Sequence, residues 1–365
     1  MTDTPLAAKL KARIRRDGPI SVADYVRACL HDPEHGYYRK QPAIGAHGDF
    51  VTAPEISQTF GELVGLWCAV VWQQMGSPPG LTLVELGPGR GTLMRDALRA
   101  TRIVPGFRET LTVRMVESNA ALVPLQRAAV ASDAISVVWH DSVGDCIEAL
   151  AKEPVPFIVI ANEFLDTCTA DQYEAHGGRL VMRGVGLDAA GTLAFTLLDD
   201  RVAPSEVALG TRADGSCAEV QDFGFFAPLA RLMAQRPAAS LFIDYGANTA
   251  STTDTLQAVR DHRSEPPLQS PGEADLSFQV DFARFRSIAL ATPGLSADGP
   301  VPQAEFLGRL GIVERASRLM AQNPAKAGAL EMQVQRLLAP SGMGSRFLAL
   351  GVRSHDLPPL PGLDG

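Results

Sequence analysis

Short apolar segments alternate with amphipathic segments through most of the chain after residue 80. Segments of this length are typical of buried strands, and the stretches between them repeat apolar residues at helical spacing. The predicted strands are residues 81–86, 111–117, 135–140, 157–161, 240–244 and 347–352. Repeated alternation of strand and helix predicts an α/β fold with a doubly wound, mostly parallel, Rossmann-like sheet and helices on both faces.

The segments outside these strands predict how the rest of the chain is divided. Residues 5–30 are predicted to be helical up to the stop at Asp32-Pro33, a glycine- and proline-rich loop covers 35–54, and a helix covers 57–75. The predicted divisions are an N-terminal helical cap with an active-site loop (1–76), the first part of the sheet domain (77–166), an inserted β-rich substrate-side element (167–220), the rest of that domain with a long loop at about 249–276 (221–353), and a flexible tail (354–365).

Composition excludes several classes of protein. The 365-residue chain carries a formal net charge of −8, which argues against a broad nucleic-acid-binding face. No apolar run reaches the ~18 residues that span a bilayer, and the N-terminus has no signal-peptide core. These features predict a cytoplasmic protein without membrane insertion. A basic cluster in the first helix is interpreted as a solvated face, with a transit peptide as the alternative; its members are Lys9, Lys11, Arg13, Arg15 and Arg16.

The five cysteines are widely spaced and contain no CxxC pair, and the seven histidines are scattered. This distribution is typical of reduced thiols, and it predicts neither a disulfide frame nor a metal site.

The strongest local signal is the glycine turn Gly87-Pro88-Gly89-Arg90-Gly91, which follows the strand at residues 81–86. Glycine lets a backbone turn tightly and approach a ligand closely. A dinucleotide fingerprint would be GxGxxG, whereas this turn is GxGxG with Thr92 at the last glycine position. Glu85 lies just before the turn, where a carboxylate would repel a pyrophosphate but receive an ammonium group. The turn therefore predicts a methionine-derived cofactor, S-adenosylmethionine.

Polar residues follow the next two strands. In a doubly wound sheet, ligands bind at the carboxyl ends of the strands near the switch in strand order. Glu117 is predicted to contact the ribose hydroxyls, the adjoining Ser118 to bind the cofactor, and Asp141 and Ser142 to lie near the adenine amino group. The alternative for each is an exposed polar residue at a strand end.

The segment Asn162-Glu163-Phe164-Leu165-Asp166 follows the fourth strand, whose end faces the methyl group in this class of fold. Asn162 is predicted to contact the cofactor, and the acids Glu163 and Asp166 to contact the acceptor. The alternative is a pair of acids stabilised by a helix N-terminus.

Several of these motifs together resemble the MidA family of class I methyltransferases. The motifs are DPEHGYY at residues 32–38, GDFVTAPEIS at 48–57, the turn at 85–92, ANEFLD at 161–166, IDYG at 243–246 and PGEADL at 271–276. The resemblance runs from about residue 13 to 353. It departs from the family pattern at Thr167-Cys168-Thr169, which lacks a proline, and at Gln279, where a histidine is expected.

The resemblance implies a class I methyltransferase sheet, S-adenosylmethionine as cofactor, and methylation of arginine on a protein. Its mitochondrial relative acts on a subunit of respiratory complex I during assembly, so a complex I subunit is the implied partner. It also implies that Gly87, Gly89, Gly91 and Glu117 hold the cofactor, and that residues 49–57 cover the active site.

An arginine acceptor arrives as a cation, because its pKa is above ~12. Glu163 and Asp166 are the first choice for a carboxylate clamp on this guanidinium, with Asp49 or Glu55 in reserve. Alternatives are a small-molecule methyltransferase, a cofactor-binding assembly factor without turnover and, more remotely, a dinucleotide-dependent oxidoreductase. A homodimer is left open.

Overall fold

The computed structural model describes residues 3–39, 52–131, 135–204, 213–249 and 253–364. The helices in these ranges are α1 (Pro5–Asp17), α2 (Val22–His31), α3 (Ala53–Ile56), α4 (Gln58–Gln74), α5 (Thr92–Ala100), α6 (Val123–Val130), α7 (Val143–Ala151), α8 (Phe226–Met233), α9 (Phe282–Leu290), α10 (Gln303–Arg309), α11 (Ile312–Gln322) and α12 (Ala327–Leu338). The strands are β1 (Ile20–Ser21), β2 (Leu81–Leu86), β3 (Leu111–Val116), β4 (Ser136–His140), β5 (Phe157–Asn162), β6 (Ala170–His176), β7 (Arg179–Leu187), β8 (Leu193–Val202), β9 (Cys217–Gln221), β10 (Ala238–Ala247), β11 (Gln257–Arg260), β12 (Arg263–Glu265), β13 (Asp275–Ser277), β14 (Val280–Asp281), β15 (Leu295–Pro302) and β16 (Phe347–Ser354).

The central sheet has the strand order β15-β16-β10-β5-β2-β3-β4, with β14 beside β10. Strands β4, β3, β2, β5 and β10 are parallel, whereas β16 runs antiparallel to β10 and β15 runs antiparallel to β16. This arrangement confirms the predicted doubly wound, mostly parallel α/β sheet. The strand order reverses between β2 and β5, so the loops after these two strands meet at the switch point.

The core explains why these segments form strands. β2 and β5 are buried along their whole length, as expected for parallel strands covered on both faces. One face packs against α4 and α5, with Phe60 and Trp67 among the buried side chains. The other face packs against α8 and α9 through Phe226 and Phe285, whose rings lie 4.8 Å apart. The sheet is therefore held rigidly from both sides.

The N-terminal segment is two helices and not the single helical stretch expected over residues 5–30. α1 ends at Gly18, whose φ of 85° is accessible to glycine, and Pro19 follows. The chain then forms β1, which pairs with β7 in register Ile20↔Val185. The N-terminal helices are thus joined through β1 to the strands that follow residue 167.

Strands β6 to β9 form an antiparallel sheet with β1, in the order β1-β7-β6-β9 with β8 on β7. This sheet occupies the stretch for which a β-rich inserted element is expected. Part of the expected long loop at about 249–276 is a second small sheet, because β11 pairs with both β12 and β13.

The prediction of a flexible tail over residues 354–365 is wrong for the part that the structure describes, which ends at residue 364. Leu357, Leu360 and Leu363 are buried, and Trp67 Nε1 donates a hydrogen bond to the carbonyl of Pro361 at 3.0 Å. Extended proline-rich chains have about three residues per turn, so leucines at every third position can face one side.

No helix in the described ranges has the length and apolar character required to cross a membrane.

Candidate functional site

The glycine turn after β2 lies at the switch point and leads directly into α5. Gly87, Gly89 and Gly91 have positive φ angles of 65°, 53° and 80°, which side chains other than glycine adopt at a cost. A Cβ on Gly91 would lie 3.1 Å from Cα of Gln126, and one on Gly87 would lie 3.2 Å from the ring of Phe164. The turn therefore requires glycine for its conformation and for close packing.

Two cavities meet at this turn. The larger is a cleft of about 320 Å³, on the scale of the roughly 300–1,000 Å³ pockets that bind small molecules. The smaller, on the side of the turn that faces Glu85 and Glu55, has a volume of about 50 Å³. Gly87, Gly89 and Glu163 line both cavities. A ligand that spans the two would pass Glu163 near its middle.

Glu85 lines the smaller cavity and is nearly fully buried. Its Oε2 atom has no hydrogen-bond partner among the described residues. Burial, with a smaller contribution from the charge of Glu117, raises the pKa of Glu85 to about 8. A buried carboxyl oxygen without a partner is costly unless a ligand supplies a donor or a cation. The ammonium group of a methionine-like ligand meets this requirement, so the cavity fits that end of the predicted cofactor.

Glu117 follows β3 and lines the larger cleft. Its Oε1 accepts a hydrogen bond from the N–H of Asn119 at 2.7 Å, and its Oε2 accepts one from Nε2 of Gln126 at 2.9 Å. Burial raises the pKa of Glu117, and these hydrogen bonds act in the opposite direction. A carboxylate held in this way retains lone pairs that can accept ribose hydroxyls.

Ser118, Asp141 and Ser142 also line the larger cleft. Ser118 accepts a hydrogen bond through its carbonyl from Nη1 of Arg39 at 3.1 Å. Ser142 is the N-cap of α7, and its hydroxyl already accepts the N–H of Asp145 at 3.1 Å. The sequence-predicted adenosine residues thus lie together in one cleft, although the hydroxyl of Ser142 has a structural partner.

A sequence profile described as "Putative S-adenosyl-L-methionine-dependent methyltransferase" matches residues 63–301. The chain belongs to this family. The methyltransferase uses S-adenosylmethionine as its cofactor, and the resemblance to the MidA family inferred from the motifs is confirmed.

Named relatives match over nearly the whole chain. The mouse protein arginine methyltransferase NDUFAF7, mitochondrial, is 33% identical over 380 residues, which cover 96% of this chain and 85% of the relative. The Drosophila melanogaster homolog is 32% identical and covers 95% and 84%. A Burkholderia thailandensis structure bound to S-adenosyl-homocysteine covers 100% of this chain and 96% of that one, with a TM-score of 0.82 at 24% identity. That structure shows the same fold.

Glu163 occupies a strained position directly after β5. Its φ is +51°, although it is not a glycine, and its N–H donates to the carbonyl of Ile243 at 2.8 Å. Its Oε1 accepts hydrogen bonds from the N–H of Ala53 at 2.9 Å and from Nδ2 of Asn162 at 3.1 Å. Burial raises the pKa of Glu163 to about 7. The methyltransferase thus holds a titratable carboxyl group where its two cavities meet.

Asp166 is not among the described residues that line either cavity. Its N–H donates to Oδ2 of Asp244 at 3.2 Å, and its own Oδ1 is buried without a partner in the described part of the chain. Burial raises the pKa of Asp166 to about 7 and that of Asp244 well above its usual range. Glu163 therefore reaches the shared cavity region, and the predicted contact of Asp166 with an acceptor stays a prediction.

His31 and Tyr38 are site residues that were not predicted from the sequence, whereas Thr52 and Pro54 fall within residues 49–57, which the resemblance implies cover the active site. His31 and Tyr38 line the larger cleft, and Thr52 and Pro54 line the smaller cavity. Tyr38 belongs to the DPEHGYY motif and His31 immediately precedes it, whereas Thr52 and Pro54 belong to the GDFVTAPEIS motif, so these motifs are the available signal. The reserve acid Glu55 also lines the smaller cavity and accepts a hydrogen bond from the hydroxyl of Thr92. The other reserve acid, Asp49, lies outside the described residues.

Proposed function

We propose that this methyltransferase transfers a methyl group to an arginine side chain of a protein, with Glu163 as the residue that binds the guanidinium group. The observation that carries the proposal is the position of Glu163 in the lining of both cavities. Glu85 in the smaller cavity suits the ammonium end of the cofactor, and Glu117 in the larger cleft suits the ribose. The sulfonium lies between these two parts of the cofactor, so Glu163 is expected to lie beside it.

The chemistry of arginine agrees with a carboxyl group at this position. The cofactor supplies an electrophilic methyl group, and the acceptor must offer a nitrogen lone pair along the line of displacement. A guanidinium group has a pKa above ~12 and its lone pairs are delocalised, so it needs a partner that fixes its orientation. Glu163 has a pKa of about 7, and an arriving cation favours its ionised form.

The surroundings of Glu163 support a role in orientation. Hydrogen bonds from Ala53 and Asn162 occupy one carboxyl oxygen, Oε1. This leaves Oε2 as the oxygen to which a guanidinium could donate a hydrogen bond. The positive φ of Glu163 has an energetic cost of about 1–3 kcal/mol, and strain of this kind is concentrated at functional sites.

The relatives support an arginine acceptor, because they are named protein arginine methyltransferases. The resemblance to the MidA family further implies a complex I subunit as the protein substrate, and we adopt this as the specific partner to test. A homodimer stays a prediction that light scattering after size-exclusion chromatography would decide. The cytoplasmic location also stays a prediction, because the named relatives are mitochondrial, and immunoblotting of cell fractions would decide it.

The test is methylation of a lysate from cells that lack this protein. The purified protein is incubated with the lysate and with S-adenosylmethionine labelled in its methyl group, and labelled proteins are hydrolysed to amino acids. We expect label in methylarginine within a small number of protein bands, including a complex I subunit. Label in a small molecule, or only in another amino acid, would contradict the proposal.

Glu163→Gln tests the role of the carboxylate. Loss of a charge-assisted hydrogen bond is worth roughly 1.5–3 kcal/mol, so methylation should fall about tenfold to a hundredfold while cofactor affinity changes little. The matched control is Glu109→Gln, because Glu109 is exposed and lies before β3, at the opposite end of the sheet. Full activity in Glu163→Gln would remove Glu163 from the acceptor site.

A further inference from the structure

Gln126 is a buried amide that connects two separate parts of the cofactor site. It lies on α6 and is fully buried, and it is not among the described residues that line the two cavities. Its Nε2 donates hydrogen bonds to the carbonyl of Gly89 at 2.8 Å and to Oε2 of Glu117 at 2.9 Å. One side chain therefore joins the glycine turn to the carboxylate after β3.

The orientation of this amide is fixed by a third hydrogen bond. Nε1 of Trp139, on β4, donates to Oε1 of Gln126 at 2.8 Å. An indole nitrogen can only donate, whereas a carbonyl and a carboxylate can only accept. If the amide were flipped, its NH₂ group would face the indole N–H and its oxygen would face the oxygens of Gly89 and Glu117. Trp139 thus selects the one orientation in which all three contacts are favourable.

We propose that Gln126 is a positioning residue for cofactor binding, which holds Glu117 in the rotamer that receives the ribose hydroxyls and keeps the glycine turn at a fixed distance from it. The proposal rests on the assignment of Glu117 as the ribose ligand. It assigns no contact between Gln126 and the cofactor itself.

The hydrogen bonds of Glu117 explain why a positioning residue is needed. A buried carboxylate is stable as an anion only if donors replace the lost water. The backbones of Asn119, at Oε1, and of Ser118 supply donors and can do so in many sequences. The donor at Oε2 comes from a side chain and is therefore the one that a substitution can remove. Without it, the Glu117 carboxyl group would be free to rotate, and its geometry toward the ribose would change.

The affinities for two ligands distinguish a role of Gln126 in positioning Glu117 from a general contribution of Gln126 to protein stability. S-adenosylhomocysteine and its 2′-deoxy analogue differ in one ribose hydroxyl, so the ratio of their dissociation constants reports how well Glu117 is placed. In the unmodified protein we expect the ribose form to bind about tenfold tighter, as a hydrogen bond to a charged group implies. In Gln126→Leu, which keeps the volume and removes all three hydrogen bonds, we expect this ratio to fall below about threefold.

A role limited to folding would weaken both ligands equally and leave the ratio unchanged, and that result would overturn the proposal. Gln303→Leu is the matched control, because Gln303 is also fully buried and its Nε2 donates a backbone-directed hydrogen bond, to the carbonyl of Leu337 at 3.0 Å. Its ratio should equal that of the unmodified protein. Glu117→Ala is measured in parallel, and if it retains the tenfold ratio, the ribose assignment fails and the proposal falls with it.

Trp139→Phe is the second variant and covers the case in which Gln126→Leu does not fold. Phenylalanine keeps an aromatic ring beneath the guanidinium of Arg127, which lies 4.0 Å from the Trp139 ring centroid. It removes the N–H donor that fixes the amide, together with part of the indole ring, so Gln126 can flip. We expect a ratio between those of the unmodified protein and Gln126→Leu. An unchanged ratio in Trp139→Phe would contradict the role of the indole in orienting Gln126.

Discussion

Asp244 Oδ2 accepts a hydrogen bond from the backbone N–H of Leu165 at 2.8 Å, across the boundary between β10 and the loop after β5. The same oxygen accepts the N–H of Asp166, and Oδ1 accepts the N–H of Tyr245. Asp244 is fully buried, so these contacts are protected from water. The loop that carries Glu163 is therefore shaped by a side chain from the neighbouring strand.

Asp244→Asn should lower turnover without weakening cofactor binding. An amide has one oxygen in place of two, so at least one backbone N–H would face an NH₂ group. An unsatisfied buried donor costs about 1–3 kcal/mol, and a shift of the loop that moves Glu163 would relieve it. We expect kcat to fall about tenfold, with the Kd for S-adenosylmethionine within about threefold of that of the unmodified protein.

The control for this substitution is Asp188→Asn. Asp188 Oδ1 accepts the N–H groups of Ala190 and Thr192 in the turn between β7 and β8, so the local chemistry is similar but the position is distant. Its kcat should be unchanged. A normal kcat in Asp244→Asn would show that the loop does not depend on this carboxylate.

Gly89→Val should weaken cofactor binding, because the added side chain would occupy the space that the ligand takes beside the turn. Its φ of +53° also makes any other residue unfavourable by about 1–2 kcal/mol. Gly177→Val is a matched control, because Gly177 has a φ of +56° and no atom of the residues that the structure describes lies within 4 Å of its added Cβ. Both variants should lose similar stability, but only Gly89→Val should weaken S-adenosylmethionine binding, by at least about tenfold in calorimetry. Equal binding by the two would mean that the cofactor does not approach the turn.

The pKa of Glu85 predicts a loss of stability at alkaline pH in the cofactor-free protein. Its folded pKa of about 8 lies above the ordinary value of 4.5, so the protonated form stabilises the folded state. This contribution is fully present below about pH 4.5 and is lost as the pH rises through about 8. Glu85→Gln should therefore lose less stability between pH 5 and pH 8, by an amount on the order of a few kcal/mol, in denaturant titrations.

Glu163 and Asp166 also have raised pKa values, so the unmodified protein should retain part of this pH dependence after Glu85 is replaced. Addition of S-adenosylmethionine should reduce the loss at pH 8 in the unmodified protein, because its ammonium group pairs with ionised Glu85. The same addition should have less effect in Glu85→Gln. If the two proteins show the same stability curves from pH 5 to pH 8, Glu85 titrates normally.

The pattern of apolar residues along the sequence is sufficient to predict the strands of the central sheet that are buried on both faces. β2 and β5 are continuous apolar runs, and tertiary packing reinforces the same preference. β15 was missed, because its sequence LSADGPVP contains Gly299, Pro300 and Pro302. It lies at the edge of the sheet with a shift of register between Asp298 and Val301, and edge positions tolerate proline.

The sequence predicts those candidate-site residues that lie at or directly after the end of a parallel strand. Glu85, Glu117 and Glu163 each end or follow a parallel strand, so topology alone brings them to one edge. Asp166 lies in the same loop as Glu163, but Asp244 on β10 accepts a hydrogen bond from its backbone N–H. Its side chain is not among the described ones that line the two cavities. Gln126 could not be predicted as part of the site, because its contacts join a helix, a turn and two strand ends that are distant in sequence.

The C-terminal segment supports a final prediction about stability. Leu360 is fully buried. It packs directly on the backbone of Gly351 in β16, since a Cβ on Gly351 would lie 2.5 Å from Cδ1 of Leu360. Removal of a buried leucine costs about 2–5 kcal/mol, so Leu360→Ala should lower the free energy of unfolding by this amount in denaturant titrations.

Leu290→Ala is the control, because Leu290 is 43% exposed and should change stability far less. Since Leu360 lies remote from the cofactor cavities, the folded variant should bind S-adenosylmethionine normally. Unfolding of Leu360→Ala at the same denaturant concentration as the unmodified protein would mean that the segment does not pack on the sheet domain in solution.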